Sequence, residues 1–241
     1  MISSLNTTAE LERWRVRMAI LPVGATEQHS SHLPLATDSL ITEAVASRVA
    51  GKLKACCLPL LPYSISHMHR GSRGTVWLRN STLTAVIRDI AGSLRGEGFS
   101  QIVLLNGHGG NFILVPIVQD LNFDFPDLLT LSLNIWEPIN GSGLFPKPLS
   151  MVHGDEFETS CILYLRAETV RRGRIRDRKT DPDLSLLRYL PFSKISRVTH
   201  TGKPTQASAE IGKRALDVMV RGAVRNIRVA SRKMAAHRKS R

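Results

Sequence analysis

Apolar runs alternate with helix-period patterns along this chain. Met18–Val23 (MAILPV) is continuously apolar and reads as a buried strand. Asp38–Lys52 places Ile41, Ala44, Val45 and Val49 at helical spacing. Cys56–Leu61 predicts a second strand, ended by Pro62. Leu83–Leu94 predicts a helix capped by Asn80 or Ser81. Ile102–Leu105 predicts a third strand, which runs into Asn106-Gly107-His108-Gly109-Gly110-Asn111. A helix over Asn111–Leu121 and a fourth strand over Leu128–Trp136 follow. Asn140–Pro148, rich in Gly and Pro, predicts a loop; Phe157–Leu165 predicts a helix. Arg171–Phe192 is polar and shows no period. From Gln206 to about Ile227 a long helix is expected, with Ile211, Ala215, Met219, Val220 and Ala223 on one apolar face. The basic tail, 229–241, is expected to fray.

Strands alternating with helices predict an α/β fold, a mainly parallel sheet with helices on both faces. The 241 residues show no internal repeat and no linker, so one domain over 1–241 is expected. Ligands of such sheets sit beyond the carboxyl ends of the strands, and the residues after each strand carry the candidate chemistry.

Composition narrows the classes. Hydrophobic residues are 42% and aromatic ones only 5%, which excludes general disorder and predicts an aliphatic core. The net charge of +13 is local. The stretches 166–180 and 221–241 account for all of it, so the rest of the chain is balanced. That argues against a nucleic-acid-binding surface over the whole molecule. No apolar run has the length of a membrane span, and Met1–Glu10 has no signal-peptide core. Cys56, Cys57 and Cys161 form no CxxC pair and read as buried free thiols of a cytoplasmic protein.

Each strand end carries polar chemistry. After the first come Glu27, Gln28, His29, His32 and Asp38. Glu27 and His29 can share one side of an extended loop, and Asp38 can cap the next helix or lean back to them. After the second strand come His67, His69, Arg70 and Arg73, for which a solvated loop is the competing reading. After the third comes His108 among glycines. That loop has neither GxGxxG nor GxxxxGK[ST] spacing, so a phosphate cradle is not indicated. His153 and Glu158 flank the start of the late helix, where Asp155 and Glu156 suit the helix dipole. Mixed imidazole and carboxylate ligands from several strand ends suit a catalytic divalent metal (zinc, manganese or iron), and a closed structural site would use thiolates.

EQHSSHLPLATD, NGHGGN, HGDEFETS and GKPTQASAEIG, in this order, resemble the creatininase family of amidohydrolases from about Ile20 to Ile211. The resemblance implies a three-layer α/β sandwich, a metal pair, hydrolysis of amide C–N bonds by metal-activated water, and a homo-oligomer, often a hexamer. It implies Glu27, His29 and His108 as metal ligands, with Asp38 bridging the metals. Gly110 stands where creatininase has a glutamate. Members with the Gly-Gly form, which include a formamidopyrimidine deformylase and a mycofactocin precursor peptidase, take the carboxylate from the ETS motif, here Glu158. His153 matches the histidine that moves protons to the leaving nitrogen.

Departures from the family pattern lie at the expected pocket mouth: Ser30-Ser31 for Gly-Pro, Ser64 for Gly, Ser72-Arg73 for Phe-Pro and Gly154 for Ala. They bear on the substrate more than on the chemistry, and Gly110 argues against creatinine. His69, Arg73, Gly109, Gly110 and Asn111 are the substrate-binding candidates, with Arg73 placed to hold an anionic group. The expected substrate is a formamide, linear amide or peptide from a biosynthetic pathway. The alternative is a basic protein that binds nucleic acid or an acidic partner on an inactive family fold; nucleic acid and membrane partners are not expected.

Overall fold

The computed structural model describes residues 2–145, 153–178, 183–197 and 199–239, the side chains of 238 and 239 excepted. Parts of three expected segments lie outside them: 146–148 of the loop, 179–182 of the aperiodic stretch, and 240–241 of the tail. Five parallel strands form one sheet in the order β1 (Ile2–Ser3), β3 (Cys56–Cys57), β2 (Met18–Val23), β4 (Gln101–Asn106), β5 (Leu129–Asn134). The helices are α1 (Thr8–Trp14), α2 (Thr37–Leu53), α3 (Asn80–Gly96), α4 (Leu114–Asp124), α5 (Glu156–Leu165), α6 (Phe192–Ile195) and α7 (Ala209–Lys239).

Side chains of a strand alternate between faces, and here they feed two cores. Ile102 and Leu104 pack with α3 and α4 through Leu83, Ile87, Leu114 and Ile117. Val103 and Leu105 pack with α2, α5 and α7 through Val45, Cys161, Leu216 and Met219. The result is a three-layer α/β sandwich. The three cysteines are buried and free. Among the described residues, no helix is long and apolar enough to cross a membrane.

Pro22 lies in β2, a central strand, where prolines are rare because they cannot donate to the ladder. Its carbonyl accepts from Leu61 N at 3.0 Å on the β3 side, so the missing N–H is on that side too. The regular pairing of β3 stops at Cys57, and the expected strand over Cys56–Leu61 is reduced to two residues and one bridge, Val23 to Leu61.

Other expectations are corrected. The helix that follows Arg79 begins at Asn80 with no side-chain cap, so neither Asn80 nor Ser81 is the cap. Asn111–Ile113 form a turn before α4. The long helix expected to about Ile227 is longer, with α7 continuing to Lys239 through most of the basic tail. Ala230 and Met234 rest on the core, and Gln101 Nε2 donates to Ser231 Oγ at 2.6 Å. The described part of Arg171–Phe192 holds short 3-10 turns at Arg172–Arg174 and Leu184–Arg188, then the start of α6.

Candidate metal centre

The loops after β2 and β4 meet at the carboxyl edge of the sheet. Gly24 lets the first loop lie against α2, since a Cβ there would stand 2.7 Å from Ser39 Cα. Ser39 Oγ donates to Ala25 O at 2.7 Å and Ser64 Oγ to Gly24 O at 2.6 Å. In the second loop the Asn106 side chain donates to His108 O at 3.0 Å and accepts from His108 N at 3.1 Å, which folds the backbone around His108. Asp38 lies in the first turn of α2 but does not cap it; Ala36 holds that position.

Asp38 leans back into the loops. Its Oδ1 lies 3.1 Å from His29 Nε2, and its Oδ2 lies 2.8 Å from His108 Nδ1. Glu27 Oε2 lies 3.3 Å from His108 Nε2, and Glu27 Oε1 lies 3.2 Å from His69 Nε2 and 3.7 Å from His153 Nδ1. Glu158 Oε2 lies 3.6 Å from His29 Nε2. All seven side chains are buried. The rings of His29, His153 and His69 follow one another at centroid distances of 4.4 and 4.2 Å, and Phe192 stacks on His69 at 5.8 Å.

Gln28, between two candidate ligands, ties the site together. Its Oε1 accepts from Ser30 N at 3.0 Å, so its Nε2 is the donor to His69 Nδ1 and His153 Nε2, each at 2.8 Å. Ser30 has φ 61°, the left-handed region, at the position where the family pattern has glycine. Its hydroxyl lies 3.0 Å from His200 Nδ1.

The charges are strongly coupled. Burial alone would raise the carboxyls of Glu27 and Asp38, but the facing imidazoles win and hold both below their ordinary values. Burial likewise opposes protonation of His29 and His108, yet Asp38 with Glu158 raises the first well above 6.5, and Glu27 with Asp38 raises the second to about 9. His153 goes the other way: burial and the neighbouring rings of His69, His29 and His108 hold it well below 6.5, so it is neutral. Asp155, the N-cap of α5, is pushed well up by burial and by Glu158 and Glu156.

The donor set fits divalent metals. Three groupings place one ligand atom from each residue within 4.8 Å of the others: Glu27 with His29 and Asp38, Glu27 with His69 and His153, and His29 with His153 and Glu158. Glu27 Oε2 is buried and receives no hydrogen bond. A side chain cannot take over at residue 110, where a Cβ would overlap Ile65 O and His108 Nε2. Glu158 is the second carboxylate beside His29, after Asp38.

These residues form the floor of a cavity of about 140 Å³, with Met68, Trp136, Leu184, Leu187 and Phe192 in its walls. Of the substrate-binding candidates, His69 and Gly109 line it. Three do not. Arg73 is exposed and outside the wall, because the chain at His67–His69 turns His69 inward and carries the following residues to the surface. Gly110 is packed under Ile65. Asn111 is engaged with Ile65 N at 3.0 Å and Asn106 Oδ1 at 3.0 Å. Sequence reasoning missed Gln28, whose place inside EQH was the available signal, and the apolar wall, which had none.

The comparisons agree with this architecture. The Creatininase family model, described as creatinine amidohydrolase, matches residues 4–227. Creatinine amidohydrolase of Pseudomonas putida is 31% identical over 229 residues, 87% of this chain and 88% of the relative. A mycofactocin precursor peptide peptidase of Mycolicibacterium smegmatis is 30% identical over 223 residues, 88% of this chain and 85% of the relative. A crystal structure of creatinine amidohydrolase (creatininase) superposes with TM-score 0.81 at 27% identity, covering 94% of this chain and 96% of its own. A structure named "Creatininase Mn" gives 0.82 at 26% identity, covering 95% and 98%. The match spans nearly the whole chain in both sequence and structure, and the chain belongs to the creatininase family of amidohydrolases.

Proposed function

We propose that this chain hydrolyses the C–N bond of a linear amide, formamide or peptide at a pair of divalent metals. The observation that carries the reading is Asp38, whose two oxygens face different imidazoles, His29 on one side and His108 on the other. That arrangement suits a carboxylate shared between two cations. Glu27, His29, Asp38, His108 and Glu158 would hold them. Bound there, zinc, manganese or iron supplies Lewis acidity to a carbonyl and lowers the pKa of water.

The chain's own groups do the rest. Glu27 stays ionised through the facing His108 and His69. Gln28 donates to His153 Nε2 and so leaves the proton of the neutral ring on Nδ1, toward Glu27. With Nδ1 already protonated, His153 can take up the proton released by the attacking water only at Nε2, giving up the Gln28 hydrogen bond, and from Nε2 it returns that proton to the leaving nitrogen. His69 and Gly109 border the space for the substrate.

A homo-oligomer, hexameric by family resemblance, and a cytoplasmic setting belong to the same proposal; light scattering tests the first. The buried donor set and the amidohydrolase relatives favour the hydrolase over a basic binding protein. The test is metal content by plasma mass spectrometry together with turnover of formamides and short peptides, for wild type and His153→Ala. About two equivalents of metal in both proteins are expected, with kcat lowered about 10²- to 10⁴-fold in the variant. Wild type that retains no metal after loading would overturn the proposal.

A further inference from the structure

We infer that the cavity selects amides whose group beside the scissile bond is uncharged and apolar, of about the size of an isobutyl or phenyl group. The inference rests on the amidohydrolase reading and names its substrate class. The polar groups of the cavity all belong to its floor: Glu27, Asp38, Glu158, His69, His108 and His153. Above them the wall is Met68, Trp136, Leu184, Leu187 and Phe192, and among the described residues no Arg or Lys lines it. A carboxylate or ammonium placed against that wall would lose its hydration with no partner in return. An apolar group would bury its surface at a gain.

Size follows from the volume. The space is about 140 Å³, and an apolar cavity of about 150 Å³ takes up benzene. The same space must also receive the scissile amide, so a phenyl or isobutyl group is the largest that it can enclose beside it. The wall is also held in place. Phe192 is 1% exposed and stacks over His69, while its neighbour Ser193 donates to Arg70 O at 3.0 Å. The turn Leu184–Arg188 faces the cavity with Leu184 and Leu187 and turns Ser185, Leu186 and Arg188 outward. This side of the pocket is therefore a specificity wall built by 184–192, and the exposed Arg73 takes no part in it.

The test is binding, measured on the metal-loaded protein by ligand-observed NMR titration with four primary amides: phenylacetamide, 4-methylpentanamide, succinamate and glycinamide. The two apolar amides are expected to bind at least about tenfold more tightly than the anionic and cationic ones. Leu187→Arg, at a half-buried position that tolerates a long side chain, is expected to remove that gap and raise succinamate affinity. Leu184→Arg serves if the first variant melts abnormally. Equal affinities, tighter succinamate, or no binding of any of the four overturns the inference. Hydrolysis of the same amides is scored separately. Apolar preference without turnover leaves the wall's selectivity standing and removes the hydrolase reading; turnover of succinamate alone does the reverse.

Discussion

Gly110 leaves no room for a side chain beside His108, because a Cβ there would overlap the His108 ring nitrogen as well as Ile65 O. The neighbouring backbone cannot yield, since Ile65 N is anchored to Asn111. Gly110→Ala is expected to lower stability by about 1–3 kcal/mol through overpacking. It should also displace His108 and reduce bound metal. Thermal melts and metal analysis check this, and a variant with wild-type values in both would show that the loop adapts freely.

Asp38→Asn removes a charge that two buried imidazoles face at 3.1 and 2.8 Å. In the metal-free protein the loss is expected to cost about 3–5 kcal/mol, the usual cost of leaving a buried charge unpartnered. Metal content should fall at least tenfold with it. Urea unfolding of the metal-free protein measures the first effect, and plasma mass spectrometry the second. An Asn variant as stable and as metal-rich as wild type would remove Asp38 from the site.

Metal binding should release protons. His108 titrates at about 9 in the folded metal-free protein against an ordinary 6.5, and His29 is raised as well. Both are protonated at neutral pH, whereas a metal ligand must be a neutral imidazole. The raised values stabilise the metal-free fold fully below pH 6.5, and that contribution is lost as pH rises through about 9. Metal affinity should therefore rise across this window while the metal-free melting temperature falls. Calorimetry in two buffers of different ionisation enthalpy counts the protons; a buffer-independent heat would contradict the coupling.

Truncation after Arg228 is expected to destabilise the protein by about 1–3 kcal/mol, because it removes Met234 and Ala230 from the core along with the Ser231 partner of Gln101. Circular dichroism should also show lost helix. An unchanged melting temperature would mean that the last turns of α7 add nothing to the fold.

The strands β2 and β4 were legible because each carries an unbroken apolar run, Met18–Val23 and Ile102–Leu105, buried on both sides. Two short elements were not. β1 is only two residues long, and α1 buries none of its residues, so neither leaves a hydrophobic period. The sign of α1 was instead its capping box, Thr7 with Glu10. The end of α7 was misread because its charges are all basic and most of its apolar residues are small alanines; Met234 on the inner side was the contrary clue. At the site, Glu27, His29, Asp38 and His108 could be singled out because carboxylates and imidazoles stood together after strands. Phe192 and Leu187 could not. They reach the cavity from an aperiodic stretch more than 30 residues from His153, and nothing local marks which of its apolar residues turn inward.

Pro22 makes the centre of the sheet a junction. Without its N–H, the regular ladder of β3 along β2 breaks after Cys57 and resumes only at the Val23–Leu61 bridge, one residue out of register, before the chain passes Pro62 and runs on to His69. Had the ladder kept its register, the residues that follow would be displaced by one, and the imidazole now 3.2 Å from Glu27 would have been carried elsewhere. A residue with no chemistry of its own thus acts as a railway switch for one that has it. Engineering that straightens the sheet at residue 22 would improve the scaffold at the expense of the pocket.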